Sequence, residues 1–238
     1  MSADQQYADV RRICPAGGRI GHCRLLLSLA CFVMLALALA PSKALPQSSE
    51  DKAALAEAAR LNEEAVALYR AGKYAQAVPL LQRALAIQEK ALGPEHPDVA
   101  LSLNNLAGLY HAQGRYADAE PLLRRALEIM EKVLGPEHPH TATSLNNLAK
   151  LYRFQGRLAE AEPLCRRAIA IDEKVYGPDN PEVARDLENY ALLLHRLNRD
   201  EDAAALEVRA AEIRRKHTER EAGARKGAGG GTAPQAGK

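Results

Sequence analysis

The sequence predicts an all-α solenoid built from four helix-turn-helix repeats, and three observations carry that prediction. Closely similar stretches begin at Leu61, Leu103 and Leu145, with a degraded fourth at Leu187, each 42 residues after the one before. A fixed period of this kind marks stacked units, each too small to bury its own apolar face. Within each stretch the apolar residues fall at helical spacing. The apolar content is mainly Ala and Leu, with 4% aromatics and no Trp among 238 residues, a mixture that favours closely packed helices over sheets.

Ahead of the repeats, residues 25–40 read LLLSLACFVMLALALA, an uncharged run preceded by Arg19 and Arg24. It is shorter than the roughly 20 residues a helix needs to cross a bilayer, and it suits a secretory signal core. Ser42-Lys43-Ala44 places small residues where a signal peptidase inspects the chain, so cleavage after Ala44 is expected. Residues 1–44 are therefore read as a signal peptide, with a single-pass membrane anchor as the alternative. The corresponding locations are exported (periplasmic or secreted) or membrane-anchored, the latter suiting an assembly factor for an envelope complex. Residues 45–52 are read as a linker.

The repeats are expected at about 53–96, 97–138, 139–180 and 181–216. In the second, Leu103, Leu106, Ala107 and Tyr110 make one helical stripe, and Gly114 lets the chain turn. A second stripe follows at Tyr116, Ala119, Leu123, Ala126, Leu127 and Met130. Its alanines matter because helix axes approach closely only where side chains are small. Gly135 is expected as a left-handed helix stop, with Pro136 behind it and Pro139 opening the next helix. Pro79, Pro121 and Pro163 recur early in each second helix, which points to a built-in bend or a tight first turn. The fourth copy carries Asn198, Asp200 and Ala205 where the others have Gly, an aromatic or Leu, and Pro. It reads as a more polar cap, as repeat arrays require. Residues 217–238, rich in Gly, Ala and Lys, are expected to form a disordered tail.

The LNNLA–Y–GRY–A–A pattern and the EKVLGPEHP connection resemble the tetratricopeptide repeat, in the 42-residue variety found in kinesin light chains and many bacterial proteins. The resemblance implies a right-handed superhelix whose first helices line a concave groove that grips extended peptides. No heptad pattern of the kind that joins a light chain to its motor is present in the sequence.

In groove-binding relatives, an asparagine hydrogen-bonds the ligand main chain and nearby basic residues take acidic groups. Asn105, Asn147 and Asn189 match that asparagine, and an amide suits the role because it both donates and accepts. Beside them fall His111, Lys150, Arg153, Phe154 and Arg196, while the first copy has Glu63. The expected groove is neutral near its start and basic toward its end, with Phe154 as an apolar anchor. It should take an extended protein segment or peptide with acidic residues. The competing expectation is that the asparagines tie neighbouring repeats together and that Phe154 packs between them.

No catalytic residue, metal site or cofactor is expected. His96, His138 and His140 beside Glu95 and Glu137 sit in successive inter-repeat turns and read as turn and cap residues rather than convergent ligands. Phosphate-binding loops, nucleophile elbows and HExxH motifs are missing from the sequence. The net charge of +2 is too balanced for a nucleic-acid partner, and contact with a membrane is expected only through the amino-terminal segment. Cys165 replaces Leu81 and Leu123 on an apolar stripe and is read as a small core residue.

Overall fold

The computed structural model describes residues 48–228. They form eight helices and no strands: α1 (Ser49–Arg70), α2 (Tyr74–Leu92), α3 (Pro97–Ala112), α4 (Tyr116–Val133), α5 (Pro139–Gln155), α6 (Leu158–Tyr176), α7 (Pro181–Arg196) and α8 (Asp200–Ala228). The expected signal peptide or anchor at 1–44, with Cys14, Cys23 and Cys31, lies outside the described residues, as does the tail beyond 228. Among the described residues, no helix is long and apolar enough to cross a membrane.

Each odd helix packs on the even helix that follows, and each even helix on the next odd one. Contacts of α3 with α5 and α5 with α7 join the odd helices into one layer. Alanine makes this spacing possible. Ala58, Ala100, Ala142 and Ala184 occupy one position of the repeat, and Ala65, Ala107, Ala149 and Ala191 a second. Ala77, Ala119, Ala161 and Ala203 occupy a third, and Ala84, Ala126, Ala168 and Ala210 a fourth. All sixteen are buried. Leu103, Leu145 and Leu187 fill the space between them and are also buried.

The punctuation between helices follows from individual side chains. His96 and His138 cap α3 and α5, each accepting a backbone N–H on Nδ1, at 3.2 Å from Asp98 and 3.1 Å from His140. Asn180 does the same for α7 through Oδ1, at 2.9 Å from the Glu182 N–H. A proline follows each cap at the first helical position, where its missing N–H is no loss. Within the first three repeats the chain turns at Gly72, Gly114 and Gly156, with φ of 71°, 73° and 78°. In the fourth, Asn198 adopts φ 57° at the same place, which asparagine tolerates better than other side chains.

Four expectations need correction. Helix α1 begins at Ser49 rather than at 53, because Ser48 and Asp51 form a reciprocal capping box that starts it inside the expected linker. Two inter-repeat glycines, Gly93 and Gly177, are not left-handed helical stops: they pair positive φ with ψ of 154° and 158°, an extended region essentially reserved for glycine. Pro79, Pro121 and Pro163 are each the sixth residue of their helix, beyond the first turn, so the tight-first-turn alternative falls, while the helices run on through the prolines as expected. Finally, α8 continues 29 residues to Ala228, well into the segment expected to be disordered from 217. Ala, Glu, Arg and Lys there favour helix, and Arg215–Glu219 and His217–Glu221 add i,i+4 pairs at 2.9 and 3.2 Å.

Ion pairs repeat with the fold. Lys132–Glu95, Lys174–Glu137 and Lys216–Asp179 link each second helix to the preceding inter-repeat turn at 2.5, 2.5 and 3.4 Å. Arg125–Glu89, Arg167–Glu131 and Arg209–Glu173 join successive even helices at 2.7, 2.5 and 2.5 Å. A third ladder, Arg157–Glu120 and Arg199–Glu162, runs at 2.8 Å in both cases. Single exposed pairs contribute at most about 1 kcal/mol, so these ladders set register more than they supply stability. The last repeat turns polar on its outer helix: Glu207 and Arg214 stand where the second repeat has Leu123 and Met130. Arg214 is held by two bonds to Glu188, at 2.5 and 2.6 Å.

Candidate functional site

The layer of odd helices carries the residues singled out in the sequence. A pocket of about 280 Å³ opens where α1, α3 and α5 meet, lined among others by Val66, Tyr69, Asn104, Asn105, Gly108 and Asn147. Next to it, a smaller one of about 80 Å³ is lined by Tyr69, Asn104, Gly108, His111, Asn147 and Lys150. Gly108 belongs to both. An added Cβ there would meet nothing within 4 Å, so its lack of a side chain opens the space. Asn105 is exposed and Asn147 half-buried, and the two share the larger pocket. Asn189 is half-buried one repeat further on, outside both pockets.

Asparagines also tie repeats together. Asn104 Nδ2 donates to Ser144 Oγ at 3.2 Å, and Asn147 Nδ2 donates to Asn104 Oδ1 at 3.4 Å. One repeat on, Asn146 Nδ2 donates to Asp186 Oδ1 at 2.7 Å. Asn147 therefore lines both pockets while one of its amide hydrogens reaches the preceding repeat.

His111 departs from its expected role as a basic residue. Burial, then the charges of Lys150 and Arg153, hold its pKa below the usual histidine value, so at neutral pH it offers a ring rather than a cation. That ring meets Phe154 edge-on at 4.5 Å and Tyr116 at 5.4 Å between centroids. Phe154 packs against the preceding repeat in this way, yet 42% of it stays exposed. The Arg153 guanidinium lies 4.7 Å above the Phe154 ring centroid. Burial, with the like charge of Arg196 behind it, lowers the Arg153 pKa.

The charge pattern singles out three of these residues. From Pro97 to Lys216, every Arg and Lys except three has an acidic side chain within 4 Å among the described residues. The three exceptions are Lys150, Arg153 and Arg196. His195, one residue from Arg196, is instead paired with Asp200 at 2.7 Å and Glu207 at 3.0 Å.

Sequence reasoning missed Tyr69, Val66 and Asn104. Their signal was the repeat register: Tyr69 stands 42 residues before His111, and Val66 42 before Gly108. Tyr69 and Val66 are 47% and 43% exposed and make the start of the layer apolar. The Cys165 thiol is buried, and burial followed by the charge of Asp186 pushes its pKa up to about 12, so it is a core group and not a reactive one.

Stacked helical hairpins with this layer and this punctuation define a helical-repeat scaffold. A tetratricopeptide repeat family model matches residues 55–132, 100–170 and 146–216, so the chain belongs to the tetratricopeptide repeat family. Among solved structures it is similar to a single-substitution variant of a kinesin-light-chain-like protein of Podosopora anserina with nearly identical TPR-like repeats. The identity is 30%, over 68% of this chain and 76% of that one, with a TM-score of 0.59. It shares its fold with BtubC (BKLC) from P. vanneervenii, at 23% identity over 76% of this chain and 68% of the other, with a TM-score of 0.61. A stretch of 39 residues is 59% identical to Nephrocystin-3 of Xenopus laevis, covering 16% of this chain and only 3% of that protein. Tetratricopeptide repeats mediate protein–protein interaction, and scaffolds of this fold are typically non-enzymatic.

Proposed function

We propose that this protein is a non-enzymatic scaffold that holds an extended, acidic protein segment across the layer of odd helices. One observation carries the reading: in the stretch from Pro97 to Lys216, where every other Arg and Lys has an acidic partner, Lys150, Arg153 and Arg196 are left without one on the same face. Unpaired charges of one sign on a neighbouring set of helices favour a ligand of the other sign. Asn105 and Asn147 would meet its main chain, the apolar pocket at Val66, Tyr69 and Gly108 would take a bulky side chain, and Phe154 would supply further apolar contact. Glu63, on the first repeat, keeps acidic residues toward the α5–α7 end.

The test is an array of extended peptides probed with the full chain, followed by affinity measurement on those captured. Asn147→Ala and Lys150→Glu should each weaken binding about tenfold, roughly the 1.4 kcal/mol of a charge-assisted contact. Unchanged affinity in both would exclude the groove as the binding site.

We infer in addition that the scaffold works outside the cytoplasm. The uncharged run at 25–40 and the Ser42-Lys43-Ala44 sequence support export. Mass spectrometry of the native amino terminus should find Leu45 first; an intact run recovered in the membrane fraction would favour the anchor instead.

A further inference from the structure

One buried polar cluster plays no part in the groove. Asp172 on α6 and Asp186 on α7 are 2% and 0% exposed and face each other across the seam between the third and fourth repeats. Asp186 Oδ1 accepts from Asn146 at 2.7 Å and from Arg185 at 3.4 Å. Asp172 Oδ1 and Asp186 Oδ2 have no hydrogen-bond partner, although both are buried. Two ionised carboxylates cannot satisfy each other, because an ionised carboxylate only accepts.

The earlier seams show what belongs at this position. Between the first and second repeats the equivalent residues are Gln88 and Ser102, and the Ser102 hydroxyl donates to Gln88 Oε1 at 2.5 Å. Between the second and third they are Met130 and Ser144, with Met130 fully buried and Ser144 hydrogen-bonded to Asn104. Only at the third seam are both positions acidic, and there the two side chains can hydrogen-bond to each other only if one carboxyl keeps its proton.

We propose that Asp172 and Asp186 share a single buried proton that latches the fourth repeat onto the third, and that losing this proton loosens the seam. Like charges in contact and shut off from water resist double ionisation. Burial, then the charge of Asp172, pushes Asp186 up to about 7, and burial raises Asp172 as well. The surroundings do little to offset a second negative charge. On α7, Arg185 is the only cation at hand, and it is shared with Glu182. On α6, Cys165 is neutral, and α5 presents the uncharged Ser144 and Asn146. Helix α8 packs on α7 through Ala210 and Ile213, while its Arg214 is held by Glu188.

The sign follows from linkage. A carboxyl whose folded pKa is raised stabilises the fold fully below its ordinary value near 4, and that contribution is lost as pH rises to about 7. Loosening would act on function because α7 also carries Asn189 and Arg196, so the seam governs how they sit beside Lys150 and Arg153.

The latch is tested without any partner, so its failure and that of the groove reading are separable. Hydrogen exchange of the full chain, corrected for intrinsic rates, is compared between pH 5 and pH 8. Because the His195 pairs with Asp200 and Glu207 also weaken as pH rises, all chains carry His195→Gln. In that parent, the opening equilibrium of α7 and α8 should rise about tenfold per pH unit up to about pH 7. Asp172→Asn should abolish the rise and leave the seam better protected than the parent at pH 8. The double variant Asp172→Met/Asp186→Ser, which copies the second seam, should be equally insensitive to pH and serves if the single variant does not fold. A parent seam equally protected at both pH values overturns the proposal. So does a pH-dependent rise that persists in either variant, or one spread evenly over α1–α8.

Discussion

Alanine at four positions of every repeat is the residue-scale device on which the packing depends. Ala119 and Ala126 are fully buried between neighbouring helices, where there is no room for additional methyl groups. Ala126→Leu should destabilise the fold by about 1–3 kcal/mol in urea denaturation, the usual range for overpacking. Glu120 is a second key residue. Burial alone would raise its pKa, but hydrogen bonds from Arg157, Arg124 and Gln155 outweigh that and hold it down at about 2. Its contribution is present above the ordinary carboxylate range and lost as pH falls from about 4.5 toward 2. Acid titration of stability should therefore be shallower in Glu120→Gln than in the wild type. The alanines and the core leucines were legible in the sequence because they recur at the same register. Glu120 was not, because its partners Arg157 and Gln155 lie in the next repeat and only stacking brings them together. The role of His111 is hidden for a related reason: its type suggests charge, while its burial beside Lys150 and Arg153 removes it.

At the scale of the element, helices begin and end where short-range chemistry dictates. His96, His138 and Asn180 cap three odd helices in one geometry, so the histidines are structural caps that an asparagine can replace. The α7–α8 turn is the exception to glycine, with Asn198 at φ 57°. A β-branched residue there should cost about 1–2 kcal/mol, while glycine should be close to neutral. Comparing the thermal midpoints of Asn198→Val and Asn198→Gly checks this, and equal midpoints would contradict it. Helix existence could be read from the 42-residue period and the apolar spacing, but two boundaries could not. The start of α1 turns on a side-chain capping box in a stretch that composition marks as linker. The reach of α8 turns on helix-forming Ala, Glu, Arg and Lys, which composition alone does not separate from a flexible tail.

At the largest scale, the described residues form a stack whose seams differ although its units repeat. The first and second seams use hydroxyl, amide and thioether groups where the third uses two carboxyls, and cations left unpaired gather only on α5 and α7 within the stretch from Pro97 to Lys216. That asymmetry follows from substitutions at a few register positions, visible in the sequence as departures from the repeat but interpretable only once the neighbours are known. The central claim, that the odd-helix layer holds an acidic segment, is tested most directly by two charge reversals compared side by side. Lys150→Glu/Arg196→Glu changes the unpaired cations, and Lys132→Glu/Lys174→Glu changes paired ones at the inter-repeat turns. Affinity for a captured acidic peptide should fall at least a hundredfold in the first pair and change less than threefold in the second. Equal losses in the two, or a loss confined to the second, would contradict the account.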